Sequence, residues 1–254
     1  MGQYINFKIS ESGFDYTIKY TKNTIEKYFI PFIEELAEEF IGKGSIIYTL
    51  GIAGPPGCGK SAISSIFQQL LKERGISSFI LPLDGFHLRN EELQKRKITL
   101  QSSTYSLYEI KGAKETYDVN RLVEAMKKLK AREHFFWPVY LRTVHEPVDE
   151  GIYISKQNAV YIIEGNYLFL TVPPWSSLSE FFNKRVFIVP RRRFLKQKII
   201  RRKCRGGYTK KEALEHYRRS DLRNIREVLA RSAGYDHEIR QRGKYSYILK
   251  NSTG

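Results

Sequence analysis

Apolar residues along this chain form two patterns: short continuous runs, and longer stretches in which they recur at helical spacing. Continuous runs bounded by polar residues are typical of strands that are buried on both faces of a sheet. Helical spacing predicts an amphipathic helix with one buried face. The runs that predict strands are residues 45–52, 79–83, 159–163, 185–189 and 245–249.

Helices are predicted before and between these strands. The first covers residues 23–41, where Pro31 kinks the segment or starts its second half. Apolar residues over 62–71 form one face of a second helix, which Gly75 ends. Asp118 caps a third helix. Strands that alternate with helices predict a parallel sheet with helices on both faces, so the expected fold class is α/β.

The sequence contains no repeat and no linker. We expect an N-terminal helical segment over residues 1–44 and one larger domain over residues 45–254. Ligands of parallel α/β sheets bind beyond the carboxyl ends of the strands. Candidate chemistry is therefore expected directly after each strand.

A glycine-rich loop follows the first predicted strand. The segment Gly54-Pro55-Pro56-Gly57-Cys58-Gly59-Lys60-Ser61, with Ala62 after it, matches the pattern G-x-x-x-x-G-K-[ST] between a strand and a helix. The N–H groups of such a loop and the positive end of the helix dipole bind phosphate oxygens. Lys60 would reach the β- and γ-phosphates, and Ser61 would offer its hydroxyl to Mg²⁺. The motif predicts a nucleoside triphosphate with Mg²⁺ but does not identify the phosphoryl acceptor.

Two later strands each end in an acid that is followed by glycine. Asp84 is a candidate base, because a carboxylate beside a bound hydroxyl can accept its proton during phosphoryl transfer. The alternative is that it only caps a turn, since Asp-Gly is a common turn pair. Glu164 is placed to contact Mg²⁺ directly or through water, the alternative being an acid without a ligand. The predicted Mg²⁺ ligands are therefore Ser61, Asp84 and Glu164.

Positive charge is concentrated in one segment. The chain has 43 Lys and Arg residues against 27 Asp and Glu residues, a formal net charge of +16, and residues 185–205 include ten basic residues and no acid. Such a block can bind phosphates of nucleic acid, anionic lipid or a nucleotide, or it can form a solvated helix face. We expect a basic helical lid over about 190–210, with Arg201, Arg202 and Arg205 as candidates to stabilise the transferred charge.

Composition excludes several classes of protein. A hydrophobic fraction of 41% supports a large core and excludes general disorder. The mean hydropathy of −0.44 and the lack of an 18-residue apolar run predict no membrane span, and the first residues do not resemble a secretory signal. Cys58 and Cys204 are too few for a disulfide framework or a four-cysteine zinc site. We therefore expect a cytoplasmic location.

The chain resembles the phosphoribulokinase/uridine kinase family, and most closely its pantothenate-kinase-like and fructose-transport-kinase-like branch. The resemblance runs from about Tyr48 to Asn224 and rests on ordered segments, namely GPPGCGKS, LDGFH, KGAKETYDV, PVYLRTVHEPV, EGNYLFL, PPW and RRKCRGGYTKKEA. It implies a P-loop kinase that uses ATP and Mg²⁺. The implied acceptor is a hydroxyl of a small metabolite, such as a nucleoside, a pantothenate-like compound or a sugar.

The resemblance also implies roles for individual residues. It places the catalytic acid at Asp84, and it places the triphosphate contacts on the phosphate loop and the lid arginines. Residues implied to contact the acceptor or to lie beside it are His87, Lys111, Tyr117, Tyr140, Arg142, His145 and Asn166. The sequence departs from the family pattern at Leu141, where relatives usually carry Asp, and at Arg223, where they carry Pro.

Three functions remain open at this stage. The first is the ATP-dependent kinase, and the second is an ATP-binding regulator that has lost catalysis, which the Leu141 departure makes conceivable. The third is a nucleic-acid-binding protein or polynucleotide kinase, which would use the net charge of +16. The sequence does not interleave aromatic and basic residues as a nucleic-acid groove requires. It leaves the oligomeric state open.

Cys58 lies in the phosphate loop next to a helix N-terminus and close to Lys60. Both features should lower the pKa of its thiol. We therefore consider the hypothesis that oxidation of Cys58 blocks nucleotide binding, with an inert cysteine as the alternative.

Overall fold

The computed structural model describes residues 3–11, 14–42, 44, 47–100 and 102–252. The strands, in chain order, are β1 (Tyr4–Glu11), β2 (Phe14–Thr21), β3 (Ile47–Ala53), β4 (Ser78–Pro82), β5 (Lys97–Leu100), β6 (Ser103–Ser106), β7 (Phe135–Leu141), β8 (Glu146–Ile154), β9 (Ala159–Gly165), β10 (Lys184–Val189), β11 (His237–Gln241) and β12 (Tyr247–Asn251). The helices are α1 (Lys22–Thr24), α2 (Ile30–Gly42), α3 (Lys60–Glu73), α4 (Asn90–Lys95), α5 (Val119–Lys130), α6 (Arg192–Arg205), α7 (Lys210–His216) and α8 (Leu222–Arg231).

Six of the strands form the central sheet, in the order β12-β11-β10-β3-β9-β4. Strand β12 is antiparallel to β11, and the other neighbouring pairs are parallel. In the middle of the sheet, Leu50 lies opposite Ile162 and Ala53 lies opposite Gly165. Strands β3 and β9 therefore end at the same edge, which brings the phosphate loop beside Glu164.

Helices cover both faces of this sheet, so the predicted α/β fold with a mostly parallel sheet is confirmed. On one face, α2 and α3 pack together, and the rings of Phe32 and Phe67 lie 5.3 Å apart. On the other face, buried side chains of α5 pack with Trp137 of β7 and with a 3-10 helix, Trp175–Phe181. Removing this apolar surface from water is the main stabilising contribution to such a core.

The N-terminal segment is only partly helical. The helix predicted over 23–41 is present as a continuous run of α1, a π-helical stretch (Ile25–Phe29) and α2, with the irregular stretch just before Pro31. The hairpin β1–β2 precedes this run and was not predicted from the pattern of apolar residues. The first residues of the strand predicted over 45–52, Ser45 and Ile46, lie outside the described residues. The division at residues 44 and 45 remains a prediction.

Two further hairpins, β5–β6 and β7–β8, lie outside the central sheet. The β7–β8 hairpin packs directly against the turn that follows β4: a Cβ atom added to Gly85 would lie 2.0 Å from the carbonyl oxygen of Pro138. Only glycine allows this close approach of two backbone segments. In the described part of the chain, no helix is long and apolar enough to cross a membrane.

Candidate active site

The phosphate loop connects β3 to α3 through two glycines in the left-handed region. Gly57 has a φ of 76°, and Gly59, which precedes the first residue of α3, has a φ of 101°. A Cβ atom on Gly57 would lie 2.8 Å from Ile199 Cγ1 of helix α6. The basic helix therefore packs directly on the loop, as expected for a lid, and both the strained φ and the contact favour glycine at position 57.

Two polar pairs connect the loop to the end of β9. The ammonium group of Lys60 donates to Asn166 Oδ1 at 2.6 Å and to the carbonyl oxygen of Gly54 at 3.1 Å. The hydroxyl of Ser61 donates to Glu164 Oε1 at 2.9 Å. The first two residues of α3 thus contact Glu164, near the end of β9, and Asn166, directly after it. This contact places a cation, a hydroxyl and a carboxylate side by side.

Asp84 lies in a 3-10 turn, Leu83–Phe86, directly after β4. Its Oδ1 accepts a hydrogen bond of 3.1 Å from the hydroxyl of Tyr117, and Nδ1 of His87 lies 2.9 Å from its carbonyl oxygen. Burial opposes ionisation, but nearby basic groups outweigh it and hold the pKa of Asp84 below its ordinary value; they are His87, which acts only in the acidic range where it is protonated, and Arg142, Lys60 and Arg202. The carboxyl group is therefore ionised at neutral pH.

Burial also acts on His87, the aromatic neighbour of Asp84. It lowers the pKa of the imidazole, although the nearby Asp84 carboxylate favours the charged form. The imidazole is therefore neutral at pH 7, and its ring lies 3.9 Å from that of Tyr117. A neutral ring in this position can orient the turn without neutralising the carboxylate.

A cavity of about 160 Å³ opens between the phosphate loop, the turn that carries Asp84 and the end of the lid helix. It brings together most of the side chains that were singled out in the sequence, although their catalytic and binding roles remain proposals. The residues predicted as site residues that line this cavity are Pro56, Gly57, Lys60, Ser61, Asp84, His87, Lys111, Tyr117, Arg142, Glu164, Asn166 and Arg202.

Other residues predicted for the site do not line the cavity. They are Gly54, Pro55, Cys58, Gly59, Ala62, Tyr140, His145, Arg201 and Arg205. Tyr140 and His145 contact Lys111, which lines the cavity, but do not line it themselves. The Lys111 ammonium group lies 5.0 Å from the Tyr140 ring centre and donates to the His145 carbonyl oxygen at 2.8 Å. Of the three predicted lid arginines, only Arg202 reaches the cavity. Arg201 lies on another face of α6, whereas Arg205 lies one turn further along the face that carries Arg202.

The cavity also includes residues that were not predicted from the sequence: Gly112, Gly165, Lys203, His216, Asp221 and Asn224. Asp221 lies 3.2 Å from His216 Nδ1 and 3.7 Å from the Lys203 ammonium group. Apart from Gly165, the last residue of β9, none of these residues lies at the end of a strand of the central sheet, so the rule that ligands bind at strand ends does not predict them. A signal exists for two of them, because Asp221 and Asn224 flank Arg223, the position at which the sequence departs from the family pattern.

The expectation that the pKa of the Cys58 thiol is lowered is wrong. Its side chain is 1% exposed, and burial raises the pKa of the thiol despite the opposing charge of Lys60. The side chain points into the core behind the phosphate loop, among the apolar residues that hold α3 in place. The alternative of an inert cysteine agrees with this position.

A strand, a phosphate loop and a helix follow one another in the chain. A parallel strand with an acid near its end lies beside them, and a basic helix packs on the loop. This arrangement defines a P-loop kinase fold. The chain can be assigned more narrowly. It belongs to the phosphoribulokinase/uridine kinase family, whose model matches residues 49–245. The family resemblance inferred from the sequence is confirmed.

Individual relatives cover most of the chain. The uncharacterised protein YggC of Escherichia coli K12 is 28% identical over 247 residues, which are 96% of this chain and 99% of that protein. A Schizosaccharomyces pombe protein provisionally named a uridine kinase is 31% identical over 69% of this chain and 75% of its own length. A crystal structure from Silicibacter sp. TM1040, provisionally named a fructose transport system kinase, has a TM-score of 0.73 and 25% identity, and it covers 82% of this chain and 96% of its own.

Proposed function

We propose that this protein transfers the γ-phosphoryl group of ATP, bound with Mg²⁺, to a hydroxyl of a small metabolite. The main support is the position of Asp84, an ionised acid in the same cavity as Lys60 and Ser61 of the phosphate loop. A switch protein or a motor needs no base for an incoming alcohol. A kinase needs this base within reach of the transferred phosphoryl group.

The side chains beside the loop fit a magnesium nucleotide. Mg²⁺ prefers oxygen ligands, and Ser61 and Glu164 present a hydroxyl and a carboxylate 2.9 Å apart. The described residues contain no group of three or more His, Cys, Asp and Glu side chains that could hold a metal ion. Phosphate oxygens and water would therefore complete the coordination. When bound, Mg²⁺ supplies neutralisation of the charge on the β- and γ-phosphates.

Each group of this chain then has a defined task. The carboxylate of Asp84 accepts the proton of the acceptor hydroxyl as that oxygen bonds to the γ-phosphorus and the bond to the β-phosphate oxygen breaks. Lys60 and Arg202 stabilise the negative charge that moves onto the leaving ADP. Tyr117 holds the Asp84 carboxylate through its hydroxyl.

ADP release in the presence of a panel of small hydroxylated metabolites tests this proposal. We expect one acceptor class to stimulate ADP release, and the Asp84→Asn variant to lose about 10²- to 10⁴-fold in turnover while it still binds magnesium ATP. Asp149→Asn is the matched control, because Asp149 is an exposed acid paired with Arg89 and Arg121. Near-normal turnover of Asp84→Asn would contradict the proposal.

The two alternative functions have weaker support. The idea of a regulator without catalysis arises from Leu141, but this side chain is 41% exposed and does not line the cavity. Nucleic-acid binding would give a steep decrease of affinity with salt concentration, which a titration would detect. A cytoplasmic location stays a prediction, with which the free thiols of Cys58 and Cys204 agree.

A further inference from the structure

The turn between β11 and β12, residues 242–246, contacts the N-terminal hairpin β1–β2. The ammonium group of Lys19 in β2 lies 4.8 Å from the ring centre of Tyr4 and 4.7 Å from that of Tyr245. The two rings meet edge-on with their centres 5.8 Å apart, and the backbone N–H of Thr21 donates to the carbonyl oxygen of Tyr245 at 2.9 Å. Three residues of the hairpin thus hold one residue of the turn.

The same turn lies near the lid helix and the phosphate loop. A hydrogen bond from Lys244 and nearby charges, Arg201 of α6 among them, lower the pKa of the Tyr245 phenol. Lys198, three residues earlier in α6, also interacts electrostatically with Tyr245. Its ammonium group lies 4.0 Å from the position of a Cβ atom added to Gly59. The turn is therefore close to the phosphate loop, with Lys198 beside both.

These side chains combine two aromatic rings with positive charge that the protein itself does not compensate. Four cations form no ion pair in the part of the chain that the structure describes: Lys19, Lys198, Arg201 and Lys244. Aromatic rings and cations together bind the bases and the phosphates of nucleotides. The residues are far apart in the sequence, so folding creates here the mixture of aromatic and basic groups that the sequence itself does not show.

The size of the active-site cavity requires part of a bound nucleotide to lie outside it. Its volume is about 160 Å³, whereas pockets that enclose a small ligand usually measure about 300–1,000 Å³. In the proposed function, the γ-phosphate and the acceptor meet at Lys60, Ser61 and Asp84, which line this cavity. The nucleoside end of ATP then extends past the loop. Neither Lys198 nor the turn 242–246 lines the cavity, but Lys198 adjoins the loop, so the turn is within reach of the nucleoside.

We propose that the N-terminal hairpin is part of the ATP site, and that Lys19 is a positioning residue of this site. It holds Tyr245 and Lys244 where these two side chains contact the nucleoside end of ATP. The inference rests on the proposed kinase function and concerns the phosphoryl donor, not the acceptor. The hairpin precedes residues 49–245, so this contribution comes from a segment that the family model does not cover.

Calorimetric binding of two magnesium complexes, those of ATP and of inorganic tripolyphosphate, tests the proposal. Tripolyphosphate presents three phosphates to the loop but has no nucleoside, so it cannot reach the turn. We expect Lys19→Met to weaken the binding of ATP about 3- to 10-fold, because the cation that holds the two tyrosine rings is lost. The same variant should bind tripolyphosphate as the wild type does, which also shows that the phosphate loop is intact.

Further variants distinguish positioning from a general effect on the fold. Lys19→Arg should restore most of the affinity for ATP, since a guanidinium group also binds over aromatic rings. Tyr245→Leu should weaken ATP about tenfold and again leave tripolyphosphate unchanged. In the ADP assay, Lys19→Met should raise the KM for ATP more than it lowers kcat, and should leave the KM for the acceptor unchanged. Lys8→Met, at an exposed lysine of the same hairpin, is the matched control.

The outcomes separate this inference from the proposed function. If Lys19→Met loses affinity for ATP and tripolyphosphate alike, the hairpin acts only through the fold of the loop and the inference is wrong. It is also wrong if Lys19→Met and the wild type bind ATP equally, or if neither binds it. Phosphoryl transfer with such unchanged ATP binding would leave the kinase function in place. ATP binding that depends on Lys19, without transfer to any acceptor, would support the inference and contradict the kinase function.

Discussion

The hydroxyl of Tyr117 donates a hydrogen bond of 3.1 Å to Oδ1 of Asp84, across 33 positions of the chain. Tyr117 itself is buried, and burial together with the Asp84 charge raises the pKa of its phenol well above the ordinary value. The phenol therefore stays a donor at every pH at which the protein works. Its ring packs edge-on against Tyr167 and Trp175, so an aromatic cluster fixes the position of the candidate base.

Removing this donor should therefore move the carboxylate and raise its pKa. We expect Tyr117→Phe to lower kcat about tenfold, because a hydrogen bond to a charged group is lost. The acidic limb of the pH–rate profile should shift to higher pH, since the donor favours the ionised form of Asp84. Tyr153→Phe, at an exposed tyrosine of β8, is the control. An unchanged acidic limb would show that Tyr117 acts only through packing.

The lid arginines should differ in importance although they occupy one helix. Only Arg202 lines the cavity, and its charge contributes to lowering the pKa of Asp84. We expect Arg202→Gln to lower turnover by about 10³-fold, and Arg201→Gln and Arg205→Gln by less than about tenfold. Steady-state kinetics of the three variants provide the comparison. Equal losses at all three positions would mean that the whole helix closes on the triphosphate in another orientation.

Gly85 should tolerate no side chain. A Cβ atom would lie 2.0 Å from the carbonyl oxygen of Pro138 and 2.8 Å from the backbone nitrogen of Val139, so either the β7–β8 hairpin or the Asp84 turn must move. We expect Gly85→Ala to lower the free energy of unfolding by about 1–3 kcal/mol and to reduce turnover as well. Gly42→Ala, which has open space around it, should do neither. Denaturant titration together with the ADP assay would detect both effects.

Stability should decrease on mild acidification. His237 is buried beside the ring of Phe32, and burial and the charge of Lys184 lower the pKa of its imidazole. The unfolded chain therefore binds more protons than the folded chain below the ordinary histidine pKa of about 6.5, so the folded state loses stability as the pH falls through that value. The lowered pKa of His87 acts in the same direction.

We expect the free energy of unfolding to decrease between pH 7.5 and pH 5.5, and His237→Gln to reduce the slope of this decrease. The carboxyl groups with lowered pKa values contribute only at lower pH, so this window reports on the histidines. His134→Gln, at an exposed histidine, provides the control. A slope that is the same in wild type and in His237→Gln would exclude His237 as its source.

Those parts of the fold that follow from local patterns could be predicted from the sequence. Strands β3 and β9 are continuous apolar runs, Asp118 caps α5 through the backbone N–H of Arg121, and Thr209 with Glu212 forms the capping box of α7. The hairpins could not be predicted in this way. The turn of β7–β8 has no glycine and places His145 at a φ of 54°, so the usual sequence signal of a hairpin turn is missing.

The candidate site likewise contains residues that local sequence patterns predict and residues that only tertiary packing brings in. Lys60, Ser61, Asp84 and Glu164 lie at or after the carboxyl ends of neighbouring parallel strands, and this geometry brings them together at one edge of the sheet. Asn224 reaches the cavity only because α8 packs back over Gly112, a contact between positions 112 residues apart in the chain. Apart from the family pattern around Arg223, no local pattern indicates such a contact, so tertiary packing has to be known before Asn224 can be placed at the cavity.

The hairpin β1–β2 has a consequence for how the protein should be produced. Its buried side chains Phe7 and Ile9 share one core with Phe67 of α3, although they precede the stretch that the family model matches. Helix α3, which begins with Lys60, therefore packs against a segment that the family model does not cover. A truncated protein that covers only the residues matched by the family model would expose apolar surface behind the phosphate loop and would be unsuitable for assays. A tag placed before the hairpin leaves this packing intact.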